Sequence, residues 1–210
     1  MKKIVLIIPL ALSLLISCSI TQSYHFNSDF SGNSKIEVDA SSYISLMQLS
    51  DTSGTSGNYM DTISIYFVEA ANFLRNSPGI SDVQWESDQE NSKFHLSFTF
   101  DKIDNLNNVV QNEPVGFNEI IGGKPSFIAK GKKLSYFFGT KGKPMEDAEE
   151  YESMKDMFSY KLNFSFEGKI GKASFPNLEI SEDKSNASFS TTLIDITALD
   201  PKVPIIFKLK

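Results

Sequence analysis

The sequence predicts an α+β fold: a ferredoxin-like split βαβ segment that continues into a mostly antiparallel β part, with its helices on one face. Three observations carry this. Residues 36–138 read in the order strand, helix, strand, strand, helix, strand, the arrangement of a split βαβ unit. Phe94, Leu96, Phe98 and Phe100 alternate strictly with His95, Ser97, Thr99 and Asp101, the mark of a half-buried strand. After residue 158 the apolar side chains recur at every second position, as in Leu162-x-Phe164-x-Phe166, Ala187-x-Phe189-x-Thr191-x-Leu193 and Val203-x-Ile205-x-Phe207-x-Leu209.

The elements follow in order. Tyr24-His25-Phe26 reads as a short strand and Ile36 to Ala40 as a second, with Gly32-Asn33 a turn or bulge between them. Tyr43 to Leu49 has the composition of a short helix, and the Ser- and Gly-rich run from Ser50 to Asn58, without an apolar anchor, reads as a loop. Ile63, Tyr66, Phe67, Ala70, Phe73 and Leu74 form one apolar helical face, with Asp61 as N-cap and a stop at Asn76-Ser77-Pro78-Gly79. Ile80, Val83 and Trp85 then mark a strand. Ile103, Leu106, Val109 and Val110 mark a second helix. A glycine-bearing loop from Gly116 to Gly123 leads to strands at Phe127-Ile128 and Leu134 to Phe138, joined by a turn at Gly131-Lys132. Met145 to Phe158 reads as an acidic helix with Ala148, Tyr151, Met154 and Phe158 along one side. Ser181 to Asn186 reads as a turn.

A chain of 210 residues with net charge −6 is long enough for one globular domain with a substantial core. The acidic balance disfavours nucleic-acid binding, which needs basic surface against phosphates. Arg75 is the only arginine, so forked recognition of phosphate or bases has little to work with. One cysteine excludes an intramolecular disulfide.

The N-terminus carries the most specific signal. Lys2 and Lys3 precede an apolar run from Ile4 to Ile16, thirteen residues interrupted only by Pro9 and Ser13. That run is shorter than the ~20 residues of a spanning helix and has the form of a signal peptide. Leu15-Ile16-Ser17-Cys18 resembles the lipobox of bacterial lipoproteins. The resemblance implies cleavage between Ser17 and Cys18, a diacylglyceryl group on the Cys18 sulfur and acylation of the new amino group. Several chains are needed because one acyl chain holds a protein to a bilayer only marginally. Ser19, in place of an aspartate, implies the outer membrane by the same resemblance. The tail from Tyr160 to Lys210 resembles small bacterial lipoproteins of the Bacteroidota type at Tyr160, Phe166, Ile170, Asp183, Leu193, Asp195 and Pro201, with Glu167 where that pattern has proline. This second resemblance implies a fold and an envelope location.

The expected organisation is therefore a signal peptide at 1–17, a lipid-anchored tether at 18–23, an α+β part at 24–142, and an acidic helix with antiparallel strands at 143–210, the last two forming one compact domain. Cleavage removes Lys2 and Lys3, which leaves 18 basic against 26 acidic side chains, a net charge of −8.

The chemical inventory is thin. His25 and His95 are the only histidines, each in an alternating strand, and both read as surface residues. They cannot make a common zinc site with one lipidated cysteine. Ser181-Glu182-Asp183-Lys184 has the S-x-x-K spacing but lies in a turn and lacks the companion motifs. Gly122-Gly123-Lys124-Pro125-Ser126 fails as a phosphate loop, with Asn118 and Pro125 at the two required positions. A calcium loop begun at Asp51 fails at Ser56 and Thr62. Glu146, Asp147, Glu149, Glu150 and Glu152 read as a solvated helix face. Asp61-Thr62-Ile63 resembles the acceptor of Bacteroidota O-glycosylation, which makes Thr62 a candidate modification site. The 17 phenylalanines fit either a packed core or the wall of an apolar cavity.

The resulting expectation is a non-enzymatic lipoprotein of the bacterial cell envelope. It has no cofactor or metal and is anchored through Cys18, facing the periplasm from the outer membrane. It binds an envelope protein partner or supports an assembly. The alternative is a carrier of lipid or another hydrophobic ligand; an envelope hydrolase ranks third.

Overall fold

Alternation of polar and apolar residues begins earlier than the tether reading allowed. In the computed structural model β1 (Cys18–Phe26) buries Ile20, Gln22, Tyr24 and Phe26 and turns Ser19, Thr21, Ser23 and His25 the other way. The polarity of Ser19 to Ser23 reflects a solvated sheet face, so this stretch is strand and not a tether. The described residues are 18–42, 44–45, 57–112, 124–139, 158–192, 195–196 and 199–210, without the side chains of residues 57–59 and 62. The signal peptide, residues 50–56 of the expected Ser- and Gly-rich loop, the glycine-bearing loop at 116–123 and residues 145–157 of the expected acidic helix lie outside them, as do residues 43 and 46–49 of the first expected helix; 41–42 and 44–45 are helical, and the last two residues of the expected loop, 57–58, belong to a helix.

Among the described residues the remaining elements are β2 (Gly32–Asp39), α1 (Gly57–Arg75), β3 (Ile80–Asp88), β4 (Lys93–Phe100), α2 (Ile103–Asn112), β5 (Ser126–Lys130), β6 (Lys133–Phe137), β7 (Phe158–Phe166), β8 (Ile170–Ser174), β9 (Glu179–Ile180), β10 (Asn186–Thr192) and β11 (Ile205–Leu209). They form two sheets. The larger runs β3-β4-β2-β1-β7-β10-β9 and the smaller β5-β6-β11-β8. Every pairing is antiparallel except that of β1 with β7, which runs in register from Cys18–Phe158 to Phe26–Phe166.

The split βαβ unit is present. β2, α1 and β3 enclose β4, which lies between β2 and β3 and runs antiparallel to both. The last strand of a ferredoxin-like sheet would sit on the other edge of β2. That edge is taken by β1, joined to β2 through the Asn27–Ser31 turn, where Phe30 adopts φ 63°. β5 therefore enters the second sheet. Its free edge is closed by Asn107 of α2, whose Oδ1 accepts the Phe127 N–H and whose Nδ2 donates to the Phe127 carbonyl, both at 2.8 Å. A side-chain amide thus stands where a further strand would pair.

Several local readings need correction. Gly32-Asn33 is not a turn but the start of β2. α1 begins at Gly57, so Asp61 lies inside the helix and not at its cap. Its buried stripe is Phe67, Ala70, Ala71 and Leu74, which leaves Tyr66 44 % exposed at the rim. Val203 belongs to the turn before β11. The uneven spacing of Ile80, Val83 and Trp85 has a cause: a β-bulge between Ser81 and Gln84, with Asp82 at φ 51°, returns all three to the inner face.

The helices and the small sheet cover the same face of the large sheet. Phe67 of α1 stacks on Phe94 of β4 at 5.3 Å, and Phe207 of β11 lies 4.9 Å from Phe164 and 5.0 Å from Phe166 of β7. One row of side chains crosses four strands. Phe166 stacks on Phe26 at 5.7 Å, and Phe26 meets Phe100 at 5.8 Å although β2 lies between their strands. The residue of β2 in that row is Gly32, paired with Phe26 on one side and Phe100 on the other. Its missing side chain lets the two rings touch. The phenylalanines of this row and its neighbours thus pack on one another, each fully buried ring contributing about 1.5–3 kcal/mol by leaving water.

Candidate functional site

β1 holds both the residue singled out by the sequence and the centre of the large sheet's outer face. Cys18 opens the strand, half-buried. Its Sγ donates to the Asp39 carbonyl at 3.1 Å, and the Ser159 hydroxyl donates to the Cys18 carbonyl at 3.3 Å. Burial pushes the Asp39 carboxyl up, but the Ser41 hydroxyl (2.6 Å), the Ser41 N–H (3.1 Å) and the Lys93 charge outweigh it and hold the group below its ordinary value. Ser17 lies outside the described residues. Thr62 falls within α1, on regular helix beyond the Ser- and Gly-rich run.

The outer face of the large sheet is polar throughout, and two depressions flank β1. The first, of about 460 Å³, is lined by Ser23, Lys161, Asn163, Ser165, Glu179 and Ser188. Asn163 Nδ2 donates to Ser23 Oγ at 3.2 Å. His25 Nδ1 lies 2.8 Å from Ser165 Oγ just beside it. The second, of about 370 Å³, is lined by Thr21, Glu37, Glu86, Lys93 and His95. Here Glu37 and Glu86 stand directly across from His95 on either side. The His95 Nε2 is buried, with no hydrogen-bond partner among the described residues.

His95 thus lines the second depression and His25 stands beside the first, both as partly buried members of the outer face. His25 and Ser165 are 140 residues apart and meet only because β1 and β7 pair in parallel, so no local motif could announce the contact. A nucleophile–base pair needs a third group to orient the base. Among the described residues no carboxylate is hydrogen-bonded to His25, and no group of three His, Cys, Asp or Glu side chains could hold a metal ion. What the face offers is a dense array of hydroxyl, amide and charged groups, suited to hydrogen-bonded recognition.

A buried polar cluster lies on the opposite side of β1. Gln22 Nε2 donates to Tyr24 Oη, Tyr160 Oη donates to Gln22 Oε1 at 2.8 Å, and Tyr136 of the small sheet hydrogen-bonds Tyr160. Burial pushes the Tyr136 and Tyr160 phenols far up, so they stay protonated and act as hydrogen-bonding groups. The cluster joins both sheets at one point of the core. Such a satisfied network fixes register, since a one-residue slip of β1 would carry Gln22 to the outer face and leave the Tyr160 hydroxyl without it in the apolar core.

The Ser181–Asn186 turn carries the S-x-x-K spacing and is a turn, as its sequence implies. Asp183 organises it. The Ser181 hydroxyl donates to Oδ1 at 2.6 Å, the Ser185 N–H at 3.0 Å, and the Ser185 hydroxyl to Oδ2 at 2.7 Å. These bonds hold the carboxyl at about 2, below its ordinary 3.8. A depressed folded-state value means that the stabilisation is complete above pH 3.8 and is lost as pH falls through about 2. Asp183→Asn should therefore be less stable than the parent at neutral pH, and the gap should close towards pH 2. Denaturant melts of both proteins across that window check this; a gap independent of pH would refute it.

Fold and site together define an α+β protein which, among the described residues, has two packed sheets and the helices α1 and α2, with an aromatic core and a polar outer sheet face. No protein-family model matches the chain, and no curated protein matches it. Among solved structures it is similar to the folded domain of LppM from Mycobacterium tuberculosis, determined by NMR, with a TM-score of 0.45 and 12% identity over 92% of this chain and 89% of that one.

Proposed function

We propose that the chain is a lipoprotein of the bacterial cell envelope that binds an envelope partner through the polar outer face of its large sheet. The observation that carries the reading is the N-terminal sequence: Lys2 and Lys3, the apolar run, and Leu15-Ile16-Ser17-Cys18. The fold is compatible with it, because cleavage before Cys18 leaves every described strand and helix whole. Diacylation would replace the Cys18 S–H and release the Asp39 carbonyl from a part-buried bond to a weak donor, a loss of about 0.5–1.5 kcal/mol. With Ser19 onward in β1, the lipid would sit directly on the folded body and hold that body against the bilayer. Ser19 favours the outer membrane, with the body facing the periplasm. Thr62 is the proposed acceptor for a glycan.

Cys18→Ser is the test. It should abolish metabolic labelling with an alkyne fatty acid and, once salt is raised to release charge-held protein, shift the protein from the membrane to the soluble fraction of its host. Retained labelling and membrane association would refute the anchor. For the partner, a photo-crosslinker at Asn163 should give a discrete adduct in cells that one at Asp82, on the bulge, does not. No adduct from the outer face removes support for binding there.

A further inference from the structure

The two sheets treat charge in opposite ways. On the large sheet unlike charges face each other: Lys93 stands across from Asp39 on one side, with 3.6 Å between Nζ and Oδ2, and from Asp88 on the other. On the small sheet Lys130 of β5 stands opposite Lys133 of β6, Lys133 opposite Lys208 of β11, and Lys208 opposite Lys172 of β8. One lysine from each strand forms a single row across the outer face, and all four are exposed. At about 4.8 Å between strands the row spans about 14 Å. Like charges directly opposite destabilise a sheet. Yet this chain has 26 acidic side chains against 20 basic ones, and none of its acids falls within β5, β6, β8 or β11. Among the described residues the ion pairs are Lys35–Glu37 and Lys93–Asp39, so none involves this row.

The next row along the same four strands is Ile128, Ser135, Ile206 and Ser174. Ile128 is 56 % exposed and Ile206 half-buried. A shallow depression of about 240 Å³ joins the two rows, lined by Lys133, Lys172 and Lys208 together with Ile206.

We propose that the outer face of the small sheet is a docking surface for an anionic lipid bilayer. The lysine row meets headgroup phosphates, and the isoleucines beside it reach the acyl boundary. Each lysine near an anionic surface contributes independently of fine geometry, so a row of plain ammonium groups suffices. A defined phosphate or carboxylate pocket would favour the forked guanidinium, and the row contains none. A soluble polyanion would use the lysines but leave Ile128 without a role. A second copy set face to face would press lysines against lysines. The surface is separate from the proposed anchor. Phe207, one residue from Lys208, packs on Phe166, so the row lies near the Phe26–Phe166 end of the large sheet, about 26 Å along β1 from Cys18. The inference does not rest on lipidation.

The test uses the chain from residue 18 onward as Cys18→Ser, which contains every described element and carries no lipid. Sedimentation with vesicles of phosphatidylcholine and phosphatidylglycerol in equal parts should pull the protein down, and vesicles of phosphatidylcholine alone should not. Rising salt should weaken binding. Lys→Gln at positions 130, 133, 172 and 208 should each cost about fivefold and together abolish it. Lys202→Gln, an exposed lysine in the turn before β11, should change nothing. Ile128→Ser should weaken vesicle binding while leaving any binding of soluble polyphosphate unaltered. Thermal melts separate binding from folding: Lys133→Gln removes a like-charge contact, so it should fold at least as stably as the parent while binding less. Equal binding to both vesicles, no binding to the anionic ones, or an Ile128→Ser protein that binds vesicles as well as the parent would each overturn the proposal.

Discussion

Phe26→Ala is expected to lower the free energy of unfolding by about 3–5 kcal/mol, near the top of the range for a single core substitution. Phe26 is fully buried and touches rings from every side: Tyr24 at 6.2 Å, Phe30 at 6.4 Å, Phe100 and Phe127 at 5.8 Å, and Phe166 at 5.7 Å. These neighbours belong to three strands of the large sheet, the β1–β2 turn and β5 of the small sheet. A void left there cannot close without moving both layers, which is the condition for a large cavity cost. For a domain of this size the change corresponds to about 2–4 °C in Tm per kcal/mol. Calorimetry or a denaturant titration measures it. A loss under ~1.5 kcal/mol would mean that the rings repack and the aromatic row is not rigid.

Gly32→Ala is the second large effect, and it works by excess volume. A Cβ at this position would run into the His25 carbonyl oxygen of the paired strand and come within 3.2 Å of the Phe100 ring. The carbonyl is backbone held in the β1–β2 ladder and cannot rotate away. A destabilisation of about 2–3 kcal/mol is expected. The clash has two parts, which a double mutant separates. Phe100→Leu should relieve the contact with the ring and leave the contact with the carbonyl. Gly32→Ala should therefore remain costly in that background, though less so than in the parent. Full rescue would show that the carbonyl contact is not limiting.

These two positions also mark where sequence reasoning reaches and where it stops. Phe94 to Phe100 announce a half-buried strand because alternation is a local property, and the split βαβ order follows from the same kind of signal. Ser19 to Ser23 carried that alternation too, but polar residues on the open face masked it, since Gln22 is an unexpected inward residue. Of its two partners, Tyr24 lies on the same strand but Tyr160 is 138 residues away, and only the packing of β7 beside β1 explains it. The bulge at Ser81–Gln84 was written as an odd spacing of Ile80 and Val83, legible as an irregularity but not as a shape. Gly32 looked like a turn residue because a glycine has more than one use. It serves here as the gap through which Phe26 and Phe100 meet. The lysine row was hidden for a plainer reason. Positions 130, 133, 172 and 208 share no period, and strand register alone aligns them. Cys18 is the opposite case: the lipobox resemblance is a short contiguous motif, and the anchor proposed from it is argued without any tertiary contact.

The parallel pairing of β1 with β7 sets the order in which the molecule can be completed. β1 is made first, and its hairpin with β2 can form early. Its other edge has to wait for residues 158–166, some 140 positions later, and until then it exposes a full row of unpaired backbone groups. Contacts of such long range form late and make folding slow. A chain that emerges N-terminus first, across a membrane or from a ribosome, therefore cannot lock its central sheet until most of its length has followed, which keeps it threadable for as long as threading lasts.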